Sequence, residues 1–268
     1  MDDKHPPTSV VVGIDGSTAA IGGAVWAIDE AISRAVPLRL IAVTEDTHVS
    51  DDFYYRDVHY AEKSLRVAQA AVESVGRPIK VESETLHGAP GPTLVEASRD
   101  ADLICVGSIG KRRYAHALLG STATELAQKA HCPVAVVRTR PDEPPRDIDW
   151  IVVVMCGAPD NDAVVEHAMG EAKLRQAPVL ALGAWENLGE SPDAEFDGRV
   201  QKWRRRYPGV RVFPIVTRAD MARFLDENDL LVRLAVIGGS DANKLAHLVG
   251  PHGHPIFRHP ECSVLVVR

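Results

Sequence analysis

The chain has 268 residues, of which 45% are hydrophobic, and it carries a formal net charge of −7. No domain-wide basic surface is expected, so nucleic acid is not a predicted partner. The N-terminal segment has no apolar targeting core, and no apolar run approaches the roughly 20 residues of a membrane helix. A cytoplasmic protein without membrane contact is therefore predicted. Its cysteines, which show no C-x-x-C spacing, are predicted to be reduced core thiols: Cys105, Cys132, Cys156 and Cys262.

The first half of the chain alternates apolar runs with helical patterns. Strands are predicted at 10–14, 38–43, 79–84, 103–106 and 134–137, with helices at 17–35, 60–75, 92–99 and 122–130. This alternation is typical of a parallel sheet with right-handed crossovers and helices on both faces. In such a sheet, ligands bind beyond the carboxyl ends of the strands, where the direction of the connections reverses.

The second half of the chain repeats the first. At an offset of 141 residues Gly16 aligns with Gly157 and Glu30 with Glu171, and near the ends an offset of 130 aligns Cys132 with Cys262. A repeat of this length is a duplicated domain rather than a solenoid unit. We therefore predict two α/β domains at 1–140 and 148–268, joined by a proline-rich charged linker at 139–147.

The glycines of the first half predict a phosphate cradle. Gly107 follows a predicted strand, Gly110 comes three residues later, and Gly120 and Ser121 precede a helix after nine more residues. Glycine lets a ligand approach bare backbone, while a helix start offers N–H groups and the positive end of its dipole. Thr122 adds a second hydroxyl. The intervening Lys111, Arg112 and Arg113 either strengthen the anion site or form a basic loop exposed to water.

The glycine spacing is neither a Walker A loop, because Arg112 follows the lysine, nor a G-x-G-x-x-G fingerprint. It resembles the G-x2-G-x9-G-[S/T] signature of the universal stress protein family. That family also begins with a hydrophobic strand running into an Asp-Gly-Ser turn, here Asp15 to Ser17. The resemblance covers both halves. It implies two tandem Rossmann-like (HUP-type) domains, each an open five-stranded parallel sheet in the order 3-2-1-4-5 with helices on both faces.

The resemblance further implies that the first domain binds ATP, with Mg²⁺ as an optional companion. The implied contacts are Gly13, Asp15, Val43, Gly107, Gly110, Gly120, Ser121 and Thr122. Asp15 would contact adenine, ribose or a bound metal, or would only hold the strand-to-helix turn that follows a buried strand. Val43 would border the adenine, or would be an ordinary core valine.

The implied function is a non-catalytic regulator of adaptation to starvation, hypoxia or growth arrest, acting through an unidentified protein partner. No general base or kinase-type catalytic loop is assignable beside the cradle. A slow ATPase or phosphotransferase and a nucleotide-free scaffold remain the alternatives. The family commonly dimerises along its last strand, so we predict an intrachain pseudo-dimer along 134–137 and 264–267, and a homodimer also stays open.

The second half departs from the signature, which predicts a weak or inactive nucleotide site. Cys156 replaces Asp15, Ala184 replaces Val43, Asp241 replaces Gly110, and Gly250-Pro251 replaces Gly120-Ser121. A histidine group in this half is predicted to lie in exposed loops rather than to bind a metal: His247, His252, His254 and His259. The basic run at 204–206 is predicted to be a solvated helix face.

Overall fold

The computed structural model describes residues 8–45, 51–110, 119–138, 149–184, 192–228, 232–249 and 262–268. The chain divides into two units, Met1–Thr139 and Arg140–Val267, and each is described by itself below. Several positions from the sequence analysis lie outside the described residues: Lys111, Arg112, Arg113, the linker at 139–147, Gly250, Pro251, His252, His254 and His259.

The first unit alternates strands and helices as predicted. Its elements are β1 (Val10–Gly13), α1 (Thr18–Arg34), β2 (Leu38–Thr44), α2 (Asp51–Ser74), β3 (Val81–His87), α3 (Pro90–Ala97), β4 (Leu103–Gly107), α4 (Ser121–Lys129) and β5 (Val134–Val137). The strands pair in parallel in the order β3-β2-β1-β4-β5. The expected order 3-2-1-4-5 is confirmed, and the connections reverse direction between β1 and β4.

The second unit repeats this topology. Its elements are β6 (Trp150–Val154), α5 (Asn161–Arg175), β7 (Val179–Ala184), α6 (Pro192–Arg206), β8 (Val212–Thr217), α7 (Met221–Glu227), β9 (Val232–Gly238), α8 (Leu245–Val249) and β10 (Ser263–Val267). Within the unit the order is β8-β7-β6-β9-β10, again with parallel pairs. The predicted α/β fold with two Rossmann-like units is confirmed.

The central strands of the first unit are buried on both faces. The side chains of Val10 to Val12 in β1 and of Leu103 to Cys105 in β4 are fully buried. Such continuous apolar runs are typical of parallel strands covered by helices on both sides. Ser17 caps α1, because its Oγ accepts a hydrogen bond of 3.1 Å from the backbone N–H of Ala20.

The duplication extends to polar details inside the helices. Glu30 in α1 and Glu171 in α5 are both buried, and each pairs with an arginine four residues later in the same helix. Both helices then end at a left-handed residue that is not glycine, Ala35 with φ 56° and Gln176 with φ 54°. The two units therefore share the glutamate–arginine pair and the left-handed exit conformation of this helix.

Two basic residues of α6 pair with acidic residues of α5. Lys202 pairs with Asp162 of α5, and Arg206 pairs with Glu166 of the same helix. Both cations also lie 5.3 Å from the ring centroid of Trp203, which is buried. Within the basic run at 204–206, Arg206 is thus paired with a carboxylate, while the side chains of Arg204 and Arg205 donate to the backbone carbonyls of Val212 and Gln201.

The cysteines have the character predicted for core thiols. Cys105, Cys132 and Cys262 are buried and Cys156 is half-buried, and all four are free. Burial raises the pKa of the Cys132 thiol to about 12, so this group stays protonated at neutral pH. No helix in the described part of the chain is long and apolar enough to cross a membrane.

Candidate functional site

The structure brings Asp15 and Gly110 together at the carboxyl edge of the first sheet. Asp15 follows β1 and Gly110 follows β4, which are neighbouring strands. A Cβ atom added to Gly110 would lie only 2.6 Å from Oδ2 of Asp15. Any side chain at position 110 would therefore displace the carboxylate, so glycine keeps the space between the two loops open.

β1 ends one residue earlier than the predicted strand at 10–14, so Ile14 separates Asp15 from it. β1 ends at Gly13, and the exposed Asp15 lies two residues beyond it. Its Oδ1 accepts a hydrogen bond of 2.9 Å from the backbone N–H of Ser17, and Gly16 between them has φ +80°. The carboxylate thus forms an Asx turn that leads into α1 while its other oxygen faces Gly110.

Two glycines at the strand ends serve helix packing. A Cβ atom at Gly107 would lie 2.7 Å from the backbone carbon of Ala19 and 2.8 Å from the backbone nitrogen of Ala20. A Cβ atom at Gly13 would lie 2.9 Å from Cδ1 of Leu94 in α3. The bare backbone at Gly107 was expected to face a ligand, but α1 occupies the space where its side chain would be. Gly107 is required because β4 and α1 approach so closely.

Gly120 has a different environment, because it borders the loop that follows β4. Its backbone N–H donates a 2.9 Å hydrogen bond to the carbonyl oxygen of Ser108. A Cβ atom at Gly120 would lie 3.6 Å from that oxygen and 3.7 Å from the backbone nitrogen of Gly110, which are ordinary contact distances. The two glycines of the signature that follow Gly107 therefore lie next to each other.

The start of α4 offers hydrogen-bond donors beside these glycines. Gly120 is the N-cap, and it makes no side-chain capping hydrogen bond. Ser121 and Thr122 are the first two residues of the helix, so their backbone N–H groups have no acceptor within it. Ser121 is exposed and Thr122 is half-buried. Free N–H groups, two hydroxyls and the positive end of the helix dipole together favour an anion here.

Val43 lies at the same edge of the sheet as Asp15, on the strand next to β1. It is the penultimate residue of β2, half-buried, and is aligned with Leu86 of β3. The following residue, Thr44, is buried, and its Oγ1 lies 2.9 Å from Nδ1 of His87. Val43 can therefore supply an apolar surface beside the end of β1.

Sequence reasoning missed Tyr60 and Ser64, which lie on α2. The Tyr60 hydroxyl donates a 3.4 Å hydrogen bond to the carbonyl oxygen of Asp15. A Cβ atom at Gly16 would collide with that hydroxyl and would lie 2.6 Å from Oγ of Ser64. α2 therefore supports the turn that carries Asp15. No local sequence signal could have predicted this contact, because 45 residues separate the two partners.

A buried hydroxyl lies in the loop after β4. Ser108 is fully buried, and its Oγ has no hydrogen-bond partner within the part of the chain that the structure describes. Its backbone is held on both sides, since its N–H donates to Val137 and its carbonyl accepts from Gly120. The signature spacing gave no reason to single out this residue.

The second unit places different groups at the corresponding edge. Cys156 lies two residues beyond β6, and its backbone N–H donates a 2.9 Å hydrogen bond to Oδ1 of Asn161. Ala184 is the last residue of β7. After β9 the chain enters a short 3-10 helix at Gly239–Lys244, which contains Asp241 paired with Lys244 at 2.9 Å. A carboxylate therefore stands in the loop where the first unit has Gly110.

The described residues contain no group of three or more histidine, cysteine, aspartate or glutamate side chains that could hold a metal ion. Of His247, His252, His254 and His259, only His247 lies within the described residues, in α8.

A model of the universal stress protein family matches residues 8–138. The universal stress protein Rv2624c of Mycobacterium tuberculosis is 61% identical over 271 residues, which cover 100% of both chains. The chain belongs to the universal stress protein family.

A solved structure shares the fold over nearly the whole chain. A universal stress protein from Archaeoglobus fulgidus has a TM-score of 0.70 at 16% identity and covers 97% of this chain and 96% of its own, so it shares the fold. A universal stress protein solved in complex with cAMP is 28% identical, covers 50% of this chain and 99% of its own, and has a TM-score of 0.41.

The different surroundings of Gly107 and its counterpart Gly238 predict different tolerance of alanine in this universal stress protein. We expect Gly107→Ala to lower the free energy of unfolding of the first unit by about 1–3 kcal/mol, because the new methyl group would collide with backbone. Gly238→Ala is the matched control, since its nearest contact would be 3.5 Å away, and its effect should be smaller. Denaturant unfolding measures both, and equal losses would contradict the packing role of Gly107.

Proposed function

We propose that the first unit binds ATP at the carboxyl edge of β1, β2 and β4, and that nucleotide occupancy changes its contacts with a regulatory protein partner during adaptation to stress. The observation that carries this proposal is that Gly110 lies beside Asp15 while Gly120, at the uncapped start of α4, lies beside Gly110. Side chains are absent where phosphate oxygens would approach, and backbone donors lie around the same space.

The groups of the site suit different parts of the nucleotide. The N–H groups and hydroxyls of Ser121 and Thr122 are donors for the phosphates. Asp15 is an acceptor with a negative charge, so it suits the ribose hydroxyls, which donate, or a Mg²⁺ ion that bridges it to the phosphates. Val43 offers an apolar surface for the adenine. Gly13 and Gly107 contribute indirectly, because they allow α3 and α1 to pack closely enough to form the edge.

A regulatory role is proposed rather than an enzymatic one. The glycine loop carries no Walker A lysine followed by serine or threonine, and no general base is assigned beside it. The second unit, with Cys156 and Asp241 at the corresponding positions, is proposed to hold nucleotide weakly or not at all. We further propose that the protein acts in the cytoplasm, where thiols such as those of its buried cysteines stay reduced.

Glutamate at position 120 should prevent ATP binding without unfolding the first unit. The new Cβ fits, at 3.6 Å from its nearest neighbour, but the carboxylate would stand among the phosphates. We expect Gly120→Glu to weaken ATP binding by at least about tenfold in calorimetry. Gly198→Glu is the matched control, because it adds the same charge at an exposed position of α6 with no neighbour within 4 Å.

Two outcomes of that titration would contradict the proposal. Equal affinity of wild type and Gly120→Glu would place the nucleotide elsewhere on the chain. Wild-type protein that binds no ATP at millimolar concentration would favour the alternative of a nucleotide-free scaffold. Circular dichroism of each variant would verify that the fold is retained.

The asymmetry of the two units predicts about one nucleotide per chain. Each charge-assisted hydrogen bond that the second unit lacks costs on the order of 1.5–3 kcal/mol, and every 1.4 kcal/mol is about tenfold in affinity. Saturation with ATP, rapid desalting and quantification of the released adenine measure the ratio. Two equivalents per chain would show that the substitutions at Cys156 and Asp241 do not disable the second unit.

Any turnover of ATP should be far slower than the roughly 10 s⁻¹ typical of dedicated enzymes. The reason is that binding donors without a positioned base stabilise bound phosphate but do not activate an attacking water. Steady-state release of phosphate in the presence of Mg²⁺ measures the rate. Turnover at ordinary enzymatic speed that is lost in Asp15→Asn would instead assign the protein to the enzymes.

A further inference from the structure

A cleft lies in the second unit at the amino end of its strands, opposite the carboxyl edge of the same unit. It occupies about 390 Å³ between the C-terminal ends of α5 and α6 and the residues that lead into β8. Its lining includes three cationic side chains, those of Lys173, Arg206 and Arg211, together with Tyr207 and Pro208. No aspartate or glutamate is among the described residues that line it.

Two of these three cations lack a local counter-charge. Arg206 pairs with Glu166 of α5. The side chains of Lys173 and Arg211 are exposed, and neither has an ion-pair or hydrogen-bond partner in the described part of the chain. Lys173 also lies in the last turn of α5, where a cation offsets the negative end of the helix dipole. Arg211 lies outside any helix, so this explanation does not apply to it.

The first unit carries a counter-charge at the position that corresponds to the entry into β8. Lys80 is the counterpart of Arg211, because the carbonyl oxygens of both accept from the first residue of the adjacent strand, Leu38 at 2.9 Å and Val179 at 2.8 Å. Lys80 pairs with Glu82 at 2.6 Å. The residue two positions after Arg211 is Phe213, so the second unit has lost this carboxylate.

The facing helix shows the same change. In α1 Asp29 pairs with Arg77 at 3.2 Å, and the aligned residue of α5 is Gly170. A Cβ atom at Gly170 would have no neighbour within 4 Å, so the position is open space. Lys173 in turn stands where α1 has Ile32. The second unit thus lacks the carboxylates of both pairs, and it also lacks Arg77, whose counterpart is Pro208. It keeps a cation at Arg211 and adds one at Lys173.

We infer that this cleft binds a small molecule that carries a phosphate group. The guanidinium of Arg211 offers a planar fork of donors that matches phosphate oxygens, and Lys173 adds a point charge. Tyr207 and Pro208 provide an apolar wall for the rest of the molecule. The volume lies within the range of roughly 300–1,000 Å³ that small-molecule sites occupy. This inference is independent of the proposed ATP site, because it uses different residues of a different unit.

Inorganic pyrophosphate is the probe, and protection of lysine side chains from acylation is the measurement. The full-length chain is treated with an amine-acylating reagent at constant ionic strength, with and without pyrophosphate, and the rate at each lysine is followed by mass spectrometry. We expect pyrophosphate to slow acylation of Lys173 at least about fivefold. Lys80, which pairs with Glu82, serves as the internal control and should react at an unchanged rate.

Variants locate the protection in the cleft. Arg211→Gln removes the guanidinium group. Gly170→Asp introduces a carboxylate at the position that corresponds to Asp29, where a Cβ atom would have no neighbour within 4 Å. Each variant should abolish the protection of Lys173 while its melting temperature stays close to that of wild type. Arg77→Gln, in the first unit, is the matched control and should leave it intact. Unprotected Lys173 in wild type, protection that survives both cleft variants, or equal slowing at Lys80 would overturn the inference.

Discussion

The close approach of α1 to the end of β4 determines how the first site is assembled. Gly107 has no side chain, and a Cβ atom added there would lie only 2.7–2.8 Å from the backbone of Ala19 and Ala20. This contact places the first turn of α1, and the Asx turn of Asp15 that precedes it, directly beside the loop that follows β4. Gly110 can then lie next to Asp15, with Gly120 beside Gly110. A larger residue at position 107 would separate the two loops before any ligand was involved.

The glycines of the signature therefore divide into two physical classes. Gly13 and Gly107 lie inside the packed layers, where a methyl group would collide with α3 or α1. Gly120 lies at a surface where a Cβ atom would make only ordinary contacts, while Gly110 keeps a side chain away from the carboxylate of Asp15. Substitutions in the first class act on stability, and substitutions in the second act on what can bind. The spacing motif in the sequence does not distinguish glycines needed for helix packing from glycines that leave space for a ligand.

The two units share their buried core and strand order but differ at the carboxyl and amino edges of the sheet. Both units retain the strand order, the buried glutamate–arginine pair and the left-handed helix exit. At the carboxyl edge the second unit exchanges Asp15 for Cys156 and introduces Asp241. At the amino edge it loses the carboxylates that correspond to Asp29 and Glu82 and becomes more positive. The buried frame tolerates few changes because every core residue has many neighbours, whereas the exposed edges are free to diverge.

The sequence by itself determined the alternation of strands and helices and the duplication, and it predicted the cradle glycines, whereas the strand order was implied by the resemblance to the universal stress protein family. Apolar periodicity and residue spacing are local properties, so they can be read directly from the chain. It also predicted the Asx turn at Asp15, although the predicted strand before that turn ended at 14 and β1 ends at Gly13. Strand ends depend on where the neighbouring strands stop pairing, and this is a property of the sheet.

Only the tertiary structure decided which glycines pack and which leave space, because that depends on helices far away in the chain. The same holds for Tyr60 and Ser64, which support the turn at Gly16 from α2, and for the buried hydroxyl of Ser108. The positive charge of the cleft beside Arg211 also could not be predicted from the sequence. It arises because Lys173 of α5 and Arg211 before β8 converge without a carboxylate between them, and such convergence across 38 positions exists only once the chain has folded.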